Sequence, residues 1–390
     1  MICGGQFWVR GMPTGWILAF MLCGLMTGTA VSALGALPDK PGPIKEIVFT
    51  KELTIGVVEG DENYMFGKSV GFNVDGQGNI YVLDWDRKHI RKFAPDGKYL
   101  LTFGRQGQGP GEFTNPSGVR FAPDGNLYVS ENWGNRLYFF DPDGRFLRQT
   151  TLPEDIFNIW ITPAGTRLGI RHKAPRYVGQ GATVETHTIF DDQFHPIIEL
   201  YKDVVDLKFP EGRSPAQISA DIASYFLARP NAVAIMADDG LMYFGLSNAY
   251  AVDVYSPEGK KLRTISRDIP AVEYTKAAID FVLKQYDESL YADRTENERK
   301  EIRRLIRFPK SKPFFNAIVP MEDGWLGVVT DISSAEACTL DIFGGEGQFL
   351  GRVRAAISPY QLVFKNGKAY SLRIDENGYH FVERFAYLIR

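Results

Sequence analysis

Cysteine is scarce in this 390-residue chain: Cys3, Cys23 and Cys338 are all it has. Two of them lie in an apolar amino-terminal leader, which leaves Cys338 without an internal partner. No CxxC, CxxCH or zinc-type spacing is present, so neither a disulfide framework nor a cysteine-held metal is expected. The core must hold by burial and strand pairing, which a chain of this size can supply. Long basic runs are missing as well. Net charge is −3, and nucleic acid would ask for a positive face, so no nucleic-acid partner is expected. Histidine is limited to His89, His172, His187, His195 and His380. No Gly-x-Ser-x-Gly elbow accompanies them, so serine hydrolysis lacks its nucleophile turn.

The leader has a pattern of its own. Residues 11–38 carry no charge, and Arg10 precedes them. Residues 16–26 (WILAFMLCGLM) form an apolar centre, and small residues follow, with Val31-Ser32-Ala33 fitting a small-x-small cleavage site. This reads as a signal peptide over residues 1–33. The competing reading is an uncleaved anchor through residues 16–34, since the stretch is just long enough to span a bilayer. Lipoprotein processing at Cys23 is disfavoured, because Phe20-Met21-Leu22 lacks the small residues expected before the cysteine. Each reading puts the remainder outside the cytoplasm, periplasmic or extracellular, with Arg10 holding the leading end inside. Only an uncleaved leader would tie the protein to a membrane.

Glycine is plentiful (39 residues) and aromatics reach 13%, a combination that suits many short strands joined by tight turns. Repeats confirm the pattern. Residues 71–103 and 118–150 align at an offset of 47, with Asn79 on Asn126 and Asp96 on Asp143, and residues 233–265 make a third copy. In each copy two turn glycines stand 19 residues apart: Gly78 and Gly97, Gly125 and Gly144, Gly240 and Gly259. The second copy divides into four strands, with Val119-Arg120-Phe121 first and Leu127-Tyr128-Val129 second. Residues 137–140 supply the third strand, and Phe146-Leu147 begins the fourth. The turns between them contain Pro123-Asp124-Gly125 and Pro142-Asp143-Gly144, where glycine supplies positive φ. A four-stranded sheet of this size cannot bury both faces alone, whereas copies packed around an axis can.

Weaker copies at residues 159–200, 317–354 and 361–389 bring the count to six. Five or seven are the alternatives, because the third and fifth copies are irregular. The last copy has room for three strands only, and residues 47–58 are expected to supply the fourth, joining the first and last blades so that no edge stays open. The fold class is therefore all-β: a single six-bladed β-propeller over residues 45–390, with four-stranded antiparallel blades. Two helical insertions interrupt it. One lies near residues 214–228 and starts at Ser214-Pro215. The other lies near residues 271–307, where Thr295 to Glu298 fits a capping box. Both read as a cap on the rim; a partner-docking role is the alternative.

Residues 104–147 resemble an NHL repeat, through the glycine-rich lead-in, the Gly-x-Leu-Tyr-Val strand and the Asn-Arg-Leu strand. The arrangement with its insertions is similar to bacterial exported six-bladed propellers of the NHL and TolB-like type. The resemblance implies the fold and says little of activity, since such scaffolds serve as protein-binding, RNA-binding, lyase and lactonase frames. A propeller lyase of the amidating type uses three channel histidines on zinc; only His89 and His172 fall in suitable loops here, so a third ligand is missing.

In such a propeller the Pro-Asp-Gly turns share one face and are alike between copies. The opposite loops differ, so binding is expected there. They hold Asp84, Trp85, Asp86 and His89 in the first copy, and Glu131, Asn132 and Trp133 in the second. Later copies add His172, Asn248 with Ser247 and Tyr250, and Asp331. Asp84, Glu131 and Asp331 could surround Ca2+ at the central channel with oxygen ligands; the stronger reading is that such acids bond loop backbone. Trp85 and Trp133 could floor a ligand site, or pack between blades. Residues 104–113 (GRQGQGPGEF) lack the Gly-Lys-Ser/Thr ending of a phosphate loop and read as a blade link. No complete catalytic set emerges and no cofactor is implied. The reading that follows is a non-enzymatic module binding a protein or glycan on the variable face. The alternative is a metal-dependent hydrolase or lyase with a channel cation.

Overall fold

The turn chemistry read from the repeats is what builds the sheets. In a computed structural model of the protein, residues 44–390 are described, apart from 132–134, 154–155, 174–181, 207–208, 210–211, 290, 292–293, 335–336 and 360. The leader thus lies outside the described residues. Gly78, Gly97, Gly125, Gly144, Gly240 and Gly259 all adopt positive φ, the left-handed region that a side chain would strain. Asp96 and Asp124 each accept the backbone N–H two residues on, at 3.0 Å, closing the turn from the side-chain direction.

These turns join six four-stranded antiparallel sheets. Blade 1 is Val70–Val74, Ile80–Asp84, His89–Phe93 and Tyr99–Phe103, and blade 2 is Pro116–Phe121, Leu127–Glu131, Arg136–Phe140 and Phe146–Thr151. Blade 3 is Ile156–Ile161, Arg167–Lys173, Thr183–Phe190 and Pro196–Val205; blade 4 is Ala232–Met236, Met242–Leu246, Ala251–Tyr255 and Lys261–Ser266. Blade 5 is Ala317–Pro320, Leu326–Ser334, Ala337–Phe343 and Phe349–Ala355. Blade 6 takes Val363–Lys365, Lys368–Ile374 and His380–Ile389 from the chain end and Ile47–Ile55 from the chain start. That last strand pairs antiparallel from Ile47 opposite Ile389 to Ile55 opposite Val382. The protein is a six-bladed β-propeller, closed by the splice that the missing fourth strand of the last repeat required.

Period-two alternation explains how the ring holds together. Ile80 and Val82 pack toward blade 6, whereas Tyr81 and Leu83, one residue along each, pack toward blade 2. Successive side chains of a strand point to opposite faces, so every blade needs apolar residues on both. The described residues accordingly form one apolar cluster at each of the six junctions between neighbouring blades. Cys338 is a free, buried thiol within the cluster between blades 5 and 6.

Both insertions are helical. Helix α1 is Pro215–Ala228, capped by Ser214 with Gln217 completing a capping box. The second insertion contains two helices, α2 (Lys276–Ser289) and α3 (Glu296–Leu305), and α3 has the Thr295–Glu298 capping box. Helix α1 lies on the link from blade 3 to blade 4, and α2 and α3 lie on the link from blade 4 to blade 5. Strand alternation fixes where these links run: with four antiparallel strands per blade, blade links and the loops between second and third strands share one face, and the other turns share the opposite face. Ala216 and Ala220 of α1 pack with Ile302 of α3 and with Tyr291. The two insertions therefore meet over the variable-loop face. No helix among the described residues is long and apolar enough to cross a membrane.

Candidate ligand-binding face

The acidic residues ending the second strands are clips for the blade links. Asp84 is fully buried. Its carboxylate accepts the Gly67 N–H at 3.0 Å and the Arg87 N–H at 2.9 Å, and Arg87 Nη1 sits 2.9 Å away. Asp86 accepts the Lys68 N–H at 2.6 Å. In blade 2, Glu131 repeats the arrangement, accepting from Thr114 N–H (2.6 Å), Asn115 N–H (2.9 Å) and the Tyr138 hydroxyl (3.0 Å). Blade 4 makes the same contact with a hydroxyl: Ser247 Oγ accepts the Asn231 N–H at 2.8 Å. A link that enters an innermost strand exposes backbone donors near the core, and a charged acceptor satisfies them with short, strong bonds. Glu131→Gln keeps an acceptor but loses the charge, and is expected to destabilise by about 1–2 kcal/mol in a denaturant titration.

Asp331 lies apart from this pattern, with Oδ1 3.0 Å from Lys312 Nζ. Among the described residues, no group of three His, Cys, Asp or Glu side chains comes together as a metal site. Asp84, Glu131 and Asp331, grouped by sequence as candidates around a channel cation, are thus separate and already engaged. The histidines scatter likewise. His89 and His380 begin third strands in blades 1 and 6, His187 lies inside a third strand of blade 3, and His195 sits in a turn on the opposite face. His172 is the penultimate residue of the second strand of blade 3, with its backbone opposite Glu185.

Trp85 packs into the cluster between blades 1 and 2 rather than standing free as a floor. Gly71 makes room for it: a Cβ there would lie 3.1 Å from the indole ring. Asn132 and Trp133 lie outside the described residues. Tyr250, grouped with the loop residues by sequence, is buried, and its hydroxyl donates to Asp341 at 2.7 Å. Its neighbours Asn248 and Ala249 are exposed on the variable face. The link at residues 104–113 is a blade connection. It carries a short parallel pairing of Arg105–Gln106 with Glu112–Phe113, and Glu112 accepts the Gly109 N–H at 2.9 Å.

Two polar clusters escaped sequence reasoning. Asp341, fully buried, accepts from Arg352, Arg267 and Tyr250 across the junction of blades 4 and 5. The other docks α1 on blade 3. Arg229, the C-cap of α1, lies between Glu185 (3.4 Å) and Asp203 (2.7 Å), and Glu185 Oε1 lies 2.9 Å from His187 Nε2. A lone charge in an otherwise apolar strand, as in Thr339-Leu340-Asp341-Ile342-Phe343, was the available signal; its partners come from elsewhere in the chain.

His380 sets a pH response. It is 4% exposed, and among the described residues neither ring nitrogen makes a hydrogen bond of good geometry. Burial lowers its pKa to about 4 against the opposing pull of Asp86, a backbone contact at Gly378, Asp375 and Asp84. Burial, followed by the charge of Arg91, lowers His89 to about 4 as well. A folded pKa below the unfolded value means that the neutral ring's contribution is complete above about pH 6.5 and is lost as pH falls through 4. For His380 the expected loss is about 2–3 kcal/mol. Urea titrations across this window should show the slope, and His380→Leu should reduce it to the share contributed by His89.

A match to one protein family agrees with this architecture. A family described as a 6-bladed beta-propeller matches residues 73–166, which span blades 1 and 2 and the start of blade 3. Peptidyl-glycine alpha-amidating monooxygenase A of Xenopus laevis is 26% identical over 214 residues, which are 52% of this chain and 20% of that protein. The chain therefore spans about one fifth of the length of that curated relative. Among solved structures, a member of the DUF4221 family from Bacteroides vulgatus superposes with a TM-score of 0.51 at 9% identity, covering 88% of this chain and 99% of its own. A candidate exported protein from Bacteroides fragilis gives 0.49 at 10% identity, covering 88% and 95%. At such identities the likeness concerns the fold alone.

Proposed function

We propose that this propeller is a non-enzymatic binding module of the NHL-like type, working outside the cytoplasm and taking a protein or glycan on its variable-loop face. One observation carries the reading: two insertions from different blade links pack together over that face, while the opposite face repeats the same glycine turns. A scaffold that builds structure on one face only, beyond what closing the ring demands, has made that face distinct. The apolar leader over residues 1–33 supports the location, and the membrane is reached only if that leader stays uncleaved. Nucleic acid does not fit a chain of net charge −3. Glycan arrays and affinity capture against the immobilised protein test the reading. Asn248→Ala and Ala249→Trp on the variable face are expected to weaken the captured ligand by tenfold or more, about 1.4 kcal/mol. Asp124→Ala and Glu258→Ala on the opposite face should leave it unchanged. The reverse pattern, or turnover of a substrate without a stable complex, would overturn the reading.

A further inference from the structure

The walls of a propeller channel are its innermost strands. Here those six strands, the first named for each blade, contain no Asp or Glu and two cations, Arg120 and Lys365. Lys365 pairs with Asp238. Arg120 has no ion-pair partner among the described residues, and its Nη1 is buried without a hydrogen bond. Its guanidinium carbon lies 4.3 Å from the ring centroid of Trp160, on the innermost strand of the next blade. Gly118, two residues earlier, makes room for the guanidinium itself, because a Cβ there would meet Nη1 at 2.8 Å. Arg229 and Arg267, by contrast, meet carboxylates: Arg229 those of Glu185 and Asp203, Arg267 that of Asp341.

Arg120 is half-buried as a whole, but leaving its Nη1 buried with no acceptor is unfavourable, and folding gives no reason to keep such a group where methionine would fill similar space. We propose that Arg120, held flat by Trp160, is the receptor for a ligand carboxylate entering the central channel. The planar guanidinium suits the two oxygens of a carboxylate, and the indole face fixes its plane while shielding it from water. This site stands independently of the loop-face reading, since a partner could dock on the loops with the channel empty.

The test titrates the purified protein with sodium benzoate and sodium acetate at fixed ionic strength, with sodium chloride and sodium phosphate as controls. Tryptophan fluorescence and calorimetry report binding, and Trp160→Phe assigns the optical signal. Saturable carboxylate binding is expected. It should be abolished by Arg120→Met and weakened about tenfold by Arg120→Lys, which keeps the charge but loses the fork. Without ligand, Arg120→Met should melt at or above the parent temperature. Absence of saturable carboxylate binding, binding that survives Arg120→Met, or preference for phosphate would each overturn the proposal. Capture on the loop face is read separately through Asn248→Ala and Ala249→Trp, so either proposal can fail alone.

Discussion

Removing residues 44–55 is expected to abolish cooperative folding. Ile47–Ile55 is the fourth strand of blade 6, and its eight register pairs with His380–Ile389 join the two ends of the chain. The contact extends outward, since Ile44 N–H donates to Leu350 O of blade 5 at 2.8 Å and Arg390 N–H donates to Glu46 O at 2.9 Å. Ile47 is buried at the junction of blades 5 and 6, and Ile55 at the junction of blades 6 and 1. The strand therefore seals both flanks of the closing blade. Each ladder bond contributes on the order of 1 kcal/mol net, and each buried isoleucine about 1.5–3 kcal/mol. The loss is on the order of 10 kcal/mol, comparable with the whole stability of an ordinary domain. The truncated chain would also expose His380–Ile389 as an unpaired edge, which invites aggregation. Circular dichroism melts and size-exclusion chromatography measure both effects. A synthetic peptide of residues 44–56, added during refolding, should restore part of the transition. A truncated protein that melts where the parent does would show that the splice is dispensable.

Asp341→Ala is expected to cost about 1–3 kcal/mol, because it leaves the buried Tyr250 hydroxyl and the part-buried Arg267 without their acceptor, while the more exposed Arg352 can turn to water. Arg352 approaches Asp341 with Nε at 2.6 Å and Nη2 at 3.0 Å, Arg267 Nη1 comes to 2.6 Å, and the Tyr250 hydroxyl donates at 2.7 Å. Burial alone would raise the carboxyl pKa; hydrogen bonds from Arg352, Tyr250 and Arg267 outweigh it and hold the group below its ordinary value. A depressed folded pKa means that this contribution is present above the unfolded value near pH 4 and is lost as pH falls through the folded one. Asp341→Asn should therefore destabilise less than Asp341→Ala at neutral pH and show a shallower acid transition. Equal melting temperatures for parent and Asp341→Ala would mean that the cluster is not closed in solution.

The repeats made the architecture readable because a blade is a local object. Pro142-Asp143-Gly144 turns wherever it stands, and the alternation in Leu127-Tyr128-Val129 marks a strand with two buried faces. Even the ring closure was legible, since a last repeat with three strands leaves one edge to be paired and residues 47–58 had no partners nearby. The site was less readable. Asp84 and Glu131 do bond loop backbone, as their position suggested, but which N–H groups they take, 16 or 17 residues earlier in the chain, only the fold shows. Tyr250 sat among loop residues, and its hydroxyl turned out to face a carboxylate 91 residues away.

By itself, the sequence determined what depends on neighbours along the chain: turn positions, strand periodicity, helix caps, the repeat pattern and the apolar leader. The tertiary structure decided which charges meet, because a propeller brings together residues from different blades that no spacing rule connects. Asp341 acquired its arginines that way, α1 and α3 came to share one face, and Arg120 was left facing Trp160 without a counter-charge. Pattern is local, whereas electrostatic pairing depends on distances that exist only once the ring has closed.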